Sequence, residues 1–243
     1  MKSLWLTSCL VVALSGVAQA GPIAYEPVAY APGPLNFNGP ATGFAGPWIA
    51  DPNVIVANPT LFNPLGLAPN GGKVTGFFNS VDPLSGVLIP TSGKEFWASF
   101  LLFHSGPNDQ TFMGLGPSGA VLGDLPSAAI GVRLGQYGIF VGGAFTPSPK
   151  PFTPAGATDL LVAHFVSSGA TWTVFLYVNP TSFAVPDLVL NVPPVPYGTM
   201  INQNQAEFES DEFRLGDTAD DVSAVGVVPT GSATWGKVKA TYR

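Results

Sequence analysis

Residues 158–178 decide the fold: Thr158-Asp159-Leu160-Leu161-Val162-Ala163-His164-Phe165-Val166, then Ser167-Ser168-Gly169-Ala170, then Thr171-Trp172-Thr173-Val174-Phe175-Leu176-Tyr177-Val178. The first run is rich in apolar residues on both parities, as expected of a strand buried on two faces. The four small residues around Gly169 carry the chemistry of a hairpin turn. Thr171-Trp172-Thr173-Val174 then alternates cleanly, so one side of the second strand is expected to face solvent or a groove. The whole stretch reads as a β-hairpin.

Outward from this hairpin, strands are predicted near Lys73–Asn79, Lys94–Phe103, Thr111–Leu115, Ala128–Leu134, Tyr137–Gly142 and Phe208–Leu215. Lys94–Phe103 shares the two-sided apolar character of the first run, which places Trp97 in the core. Phe145–Pro154 and Val192–Pro196 are proline-rich and read as surface loops. Residues 21–50 mix proline and glycine with Tyr25, Tyr30, Phe37, Phe44 and Trp48, which predicts an extended segment able to pair only at sheet edges. No segment holds a long helical period, and no repeat of fixed period occurs. The fold expected is a single all-β domain, a two-sheet antiparallel jelly-roll sandwich.

Composition narrows the function classes. Charged residues make up 10% of the 243, against about 25% in typical domains. The 29 glycines and 25 prolines approach the range that signals disorder, but 12% aromatic content supplies apolar surface to bury. A net charge of −6 with nine Lys and Arg gives neither the basic footprint of a nucleic-acid binder nor a polybasic patch for anionic lipid. A neutral extracellular glycan or a surface protein suits this composition better as a partner.

The first twenty residues carry the three parts of a secretion signal: Lys2, an apolar stretch from Leu4 to Val17, and the small-x-small site Ala18-Gln19-Ala20. The stretch is too short to span a bilayer as a helix, and no later segment reaches about 18 uninterrupted apolar residues. Leu6-Thr7-Ser8-Cys9 has the letters of a lipoprotein signal but leaves too short an apolar region before the cysteine. Cleavage near Ala20 removes Cys9, the only cysteine, so the mature chain is expected to rest on its core without disulfides. The organisation expected is a signal peptide over 1–20, a sandwich domain over 21–224 and a tail over 225–243. Alternation of Val238, Ala240 and Tyr242 with Lys237, Lys239 and Thr241 reads as an edge strand or a docking segment. The location expected is secreted, extracellular or cell-surface, with no transmembrane anchor in the mature chain.

Four motifs invite chemistry. Gly114-Leu115-Gly116-Pro117-Ser118-Gly119 matches the letters of a dinucleotide loop, but Pro117 and Gly123-Asp124-Leu125-Pro126 deny it the helix that such a loop needs, leaving a glycine turn. Glu207-Phe208-Glu209-Ser210-Asp211-Glu212, spaced Glu-x-Glu-x-x-Glu, resembles the Glu-x-Asp-x-x-Glu signature of laminarinase-like glycosidases, with Glu209 in place of the aspartate. Retaining hydrolysis needs two carboxylates about 5–5.5 Å apart, and on a regular strand Glu212 points away from Glu207 and Glu209 unless a bulge intervenes. Asp217, Asp220 and Asp221 offer hard oxygens for Ca2+, or caps for a short helical turn. His104 and His164 stand alone, without a ligand set. Trp48 and Trp172 are the tryptophans weighed for stacking on a sugar ring, against a core role for each.

Several segments, in order, resemble secreted bacterial concanavalin A-like (laminin-G-like) proteins. Ala24-Tyr25-Glu26-Pro27, followed by Asn38-Gly39-Pro40-Ala41-Thr42-Gly43-Phe44-Ala45-Gly46-Pro47-Trp48, is similar to their opening segment. Phe96-Trp97-Ala98-Ser99-Phe100-Leu101-Leu102 is similar to their central strand, and Leu160-Leu161-Val162-Ala163 with Phe175-Leu176-Tyr177-Val178-Asn179-Pro180-Thr181 to their paired late strands. Asp211-Glu212-Phe213-Arg214-Leu215-Gly216-Asp217-Thr218 resembles their closing run. The resemblance covers about residues 24–222; it departs at Phe44 and Pro40-Ala41, and the C-terminal sorting helix of many such proteins is missing. It implies a concanavalin A-like sandwich and a non-catalytic carbohydrate-binding or adhesion module without cofactor, or with Ca2+ at the aspartates. Two alternatives stay open: a laminarinase-like glycoside hydrolase using Glu207, Glu209 and Glu212, and a structural envelope protein with no small-molecule ligand.

Overall fold

The computed structural model describes residues 23–61, 71–76, 78–108, 110–205 and 208–223. The expected signal peptide and tail lie outside these residues. The described chain forms β1 (Ala24–Glu26), β2 (Gly33–Pro34), β3 (Ile49–Ala50), β4 (Ile55–Ala57), β5 (Lys73–Thr75), β6 (Phe78–Leu88), β7 (Glu95–His104) and β8 (Gln110–Gly116). It continues through β9 (Ala128–Arg133), β10 (Gln136–Val141), β11 (Ala144–Pro147), β12 (Thr158–Ser167), β13 (Trp172–Val178), β14 (Leu188–Val192), β15 (Tyr197–Asn204), β16 (Phe208–Gly216) and α1 (Ala219–Val222).

Two antiparallel sheets result, packed as a jelly-roll sandwich, the architecture the sequence predicts. One runs β14-β13-β12-β7-β16-β5-β4-β2, with β1 also paired to β16, and the other runs β11-β10-β9-β8-β15-β6-β3. The decisive hairpin forms as β12 and β13, with Phe165 opposite Val174 and Ser167 opposite Trp172. On β7, Phe96, Ala98, Phe100 and Leu102 point into the core between the sheets. Burying side chains of this size stabilises the fold by about 1.5–3 kcal/mol each. Phe96 stacks on Phe165 at 4.5 Å and meets the edge of Trp172 at 5.2 Å.

Several strands depart from the expectation, β4 and most of β6 among them. β14 and β15 were not predicted, and β11 falls inside the expected loop Phe145–Pro154. β15 is polar because part of the interior is polar: Asn204 Nδ2 donates to Ser210 Oγ at 2.8 Å and to Val74 O at 3.0 Å, and Thr111 Oγ1 donates to Asn204 Oδ1 at 2.7 Å. Nor is Gly114–Gly119 a simple turn. Gly114 and Gly116 lie inside β8, where a Cβ on Gly114 would fall 2.4 Å from the Ala129 Cβ.

The proline-rich opening segment is ordered by one buried carboxylate. Glu26 is fully buried and accepts hydrogen bonds from Trp48 Nε1 (2.9 Å), Tyr30 Oη (2.6 Å) and Val28 N (2.7 Å). Trp48 is therefore a core residue with its single donor satisfied, and Trp172 is likewise buried, donating to Val195 O at 3.2 Å. Neither ring offers a face to a sugar, which corrects their place among the binding candidates.

Candidate functional site: a pocket on the outer face of one sheet

Residues alternate sides along a strand, so Trp97, Leu101 and Phe103 leave β7 on the face away from the core. They belong to a second apolar cluster with Leu160, Val162, Tyr177, Leu61 and Val222. Trp97 is thus an outer-face residue, contrary to its expected core position. Segments packed on this face cover its middle: Leu61 and Val222 join the cluster, and Ser99 Oγ donates to Val222 O at 2.6 Å.

At the Trp97 end the rings consume one another. Trp97 and His164 are cross-strand partners and stack at 3.9 Å and 4°, Phe175 follows at 5.7 Å, and Phe183 meets Trp97 edge-on at 4.9 Å. His164 Nε2 lies 3.0 Å from Glu95 Oε2. Burial holds the His164 imidazole below its ordinary range, against the opposite pull of Glu95. His164 is a packed strand residue.

At the Phe103 end the face opens into a cavity of about 590 Å3. Its lining brings together Thr60, Leu61, Lys73 of β5, Phe103 of β7, Glu209 of β16 and residues 156–158. Lys73 Nζ sits 2.7 Å from Glu209 Oε2, both partly exposed, and 6.0 Å from the centre of the Phe103 ring. The cavity thus holds an aromatic ring, a neutralised charge pair and the hydroxyls of Thr60 and Thr158.

One buried carboxylate, Asp211, stands behind the cavity wall, and a second, Asp159, lies on the other face of the same sheet. Asp211 Oδ2 accepts from Thr60 Oγ1 at 2.5 Å and from Leu61 N at 3.1 Å. Burial pushes its carboxyl up to about 7, against those bonds. On the other face of the same sheet Asp159 accepts from Tyr137 Oη (2.6 Å), Thr153 Oγ1 (2.7 Å) and Asn179 Nδ2 (2.6 Å), with His104 Nε2 at 3.4 Å. Burial alone would raise Asp159, but the hydrogen bonds of His104, Tyr137, Asn179 and Thr153 outweigh it and hold the carboxyl below its ordinary value. His104 also carries residues 156–157 on its backbone: Gly156 N donates to His104 O at 2.8 Å.

The glutamate motif divides. Glu207 lies outside the described residues. A register shift between Asp211 and Arg214 is a bulge, with Glu212 at φ 54°. The bulge does not make a hydrolytic pair of the two described glutamates. Glu209 enters the pocket bound to Lys73, while Glu212 is fully buried and accepts from Tyr25 Oη at 2.9 Å and Arg214 Nη2 at 2.8 Å.

The aspartate cluster also disperses. Asp217 lies 3.3 Å from Lys94 Nζ, and Asp221 caps α1, its Oδ2 accepting from Thr218 N and Oγ1 at 2.9 Å each. Among the described residues no three acidic, histidine or cysteine side chains are placed to hold a metal ion, which corrects the calcium candidates Asp217, Asp220 and Asp221.

No family model and no curated protein matches the chain. Solved structures with similar backbones include a Caenorhabditis elegans galectin, 13% identical over 58% of this chain and 94% of that one, with a TM-score of 0.33. A protein of unknown function from Shewanella oneidensis MR-1 is 11% identical over 71% of this chain and 80% of that one, with a TM-score of 0.41. A human SPRY domain is 14% identical over 71% and 96%, with a TM-score of 0.38.

Proposed function

We propose that this chain is a secreted, non-catalytic module that binds a neutral glycan in the pocket around Phe103. The observation that carries the reading is the pairing of Lys73 with Glu209 beside an aromatic ring and threonine hydroxyls in one open cavity. A sugar presents apolar C–H faces and hydroxyls that both donate and accept. Phe103 suits the first, and Glu209, Lys73 and the threonines supply acceptors and donors for the second. Because Lys73 and Glu209 cancel each other, the pocket favours a neutral ligand over an ion. A cavity of about 590 Å3 is also within the usual size of a small-ligand site.

Export rests on the first twenty residues of the sequence. Among the described residues no helix is long and apolar enough to cross a membrane. Expression with the native N-terminus and mass analysis of the product tests export: a mature chain beginning at Gly21 in the medium is the expected result. A glycan array on the protein lacking residues 1–20, run with and without EDTA, tests binding. Signal for neutral glycans that is insensitive to EDTA and lost in Phe103→Ala is expected; silence on the whole array sinks the reading.

A further inference from the structure

Glu209 and Asp211 are two residues apart on β16 and share its outer face. Glu209 reaches into the pocket, whereas Asp211 is fully buried beneath the wall formed by Thr60 and Leu61. That wall belongs to no strand. Its hydrogen bonds to Asp211 are the Thr60 hydroxyl and the Leu61 amide, both on Oδ2, while Oδ1 accepts from Glu212 N at 2.8 Å. The opposite wall, residues 156–158, is tied differently, to the backbone of β7, where Gly156 N donates to His104 O at 2.8 Å.

We propose that Asp211 is a positioning residue for the pocket: as a carboxylate it holds Thr60 and Leu61 in place as one wall, and as a carboxylic acid it loosens them. The inference rests on the pocket being the binding site. A hydrogen bond to an ionised acceptor is roughly twice as strong as one to a neutral acceptor. Protonation therefore weakens both ties at once, and ligand affinity falls with them. The surroundings place this change near neutral pH, since burial pushes the Asp211 carboxyl up to about 7 and the neighbouring Glu212 charge adds to it.

The other charged groups around Asp211 are few. From the register of Ser210 with Val74, Lys73 falls beside it across β5, already bound to Glu209. On β7 its partner is the apolar Leu101. On β16 Arg214 is held by Glu212, and α1, packed on the same sheet face, carries Asp220 and Asp221. Across the sheet the Asp159 carboxyl, held low, keeps its charge over the same range, and His104 beside it is a further titratable group there.

Two measurements on the chain lacking residues 1–20 test the inference. Hydrogen exchange at the Leu61 amide, corrected for intrinsic rates, is followed from pH 8.5 to 5.5 in the native chain, Asp211→Asn and Thr60→Val. Affinity for cellohexaose, laminarihexaose and maltohexaose is measured over the same range. The expected result is a roughly tenfold loss of Leu61 protection on acidification, the scale of weakening a charge-assisted bond. Asp211→Asn should be loose and pH-independent, and Thr60→Val should keep the pH response at a reduced amplitude. If Asp211→Asn fails to fold, Thr60→Val still decides. Leu61 protection that is flat across the range in the native chain overturns the inference. A pH-responsive wall with no oligosaccharide bound at any pH supports the positioning role and counts against the glycan reading instead.

Discussion

Trp97 and Phe103 leave the same face of the same strand, six residues apart, yet Phe103 lines an open cavity while Trp97 is packed among other rings. Trp97 lies against His164 on one side and receives the edge of Phe183, so its faces are already used by the protein. Phe103 has Lys73 and Glu209 for neighbours, and its surroundings open to solvent. An aromatic residue on a sheet face is thus a candidate contact only where its own neighbours leave a face uncovered. The same contrast divides the carboxylates: Asp159 is surrounded by donors, while the two oxygens of Asp82 are buried without a hydrogen-bond partner among the described residues.

The contrast breaks most visibly in stability. Trp97→Ala should cost about 2–3 kcal/mol in a denaturant titration, less than the loss for a fully buried tryptophan, and should leave pocket binding intact. Phe103→Ala should do the reverse, with binding down by tenfold or more and the unfolding midpoint nearly unchanged. Equal losses of stability from both would erase the distinction between a packing ring and a contact ring.

The Asp82 carboxyl gives the next effect. Burial, with the charge of Glu26 added, pushes it up to about 8. Its native-state pKa lies above its unfolded value, so the protonated form is favoured by folding. Stability from this group is therefore present at acidic pH and lost as pH rises from about 4 towards 8. Thermal unfolding should show at least about 1 kcal/mol more stability at pH 5 than at pH 8, and Asp82→Asn should flatten that slope. His164 acts in the opposite direction below its ordinary range, because burial disfavours its charged form. A slope unchanged by Asp82→Asn would assign the dependence to other groups. Smallest of all is Glu209→Gln: its partly exposed pair with Lys73 is worth about 1 kcal/mol of stability, so binding should weaken several-fold while the melting curve moves little.

The strands with strong apolar character, β7, β12 and β13, were legible because their chemistry repeats at strand length. β15 was not, because Asn202 and Asn204 belong to a polar interior that alternation cannot distinguish from a surface. Trp97 was placed on the wrong face for a related reason. Both faces of the nine-stranded sheet are apolar near β7, so parity alone does not say which side of Trp97 is the core. The Asp221 cap was among the readings the sequence offered, since Thr218 precedes it at helix-start spacing. The pocket had no signal. Thr60, Lys73, Phe103, Thr158 and Glu209 come from five separate segments, and only Glu209 had been singled out, for a different chemistry.

β1 pairs with β16: Tyr25 lies opposite Arg214, and its hydroxyl binds Glu212, 187 residues away. Among the described residues, the first strand of the sandwich thus waits for the last. A chain shortened before Phe208 loses this partner and with it the register of the segment that carries Glu26 and Trp48. Assembly that depends on so distant a contact is slow compared with hairpin formation, because the longest loop must close before its pairing contributes. β1 holds a local bridge to Thr42 as well, but its three-residue pairing forms only on a chain that extends through β16.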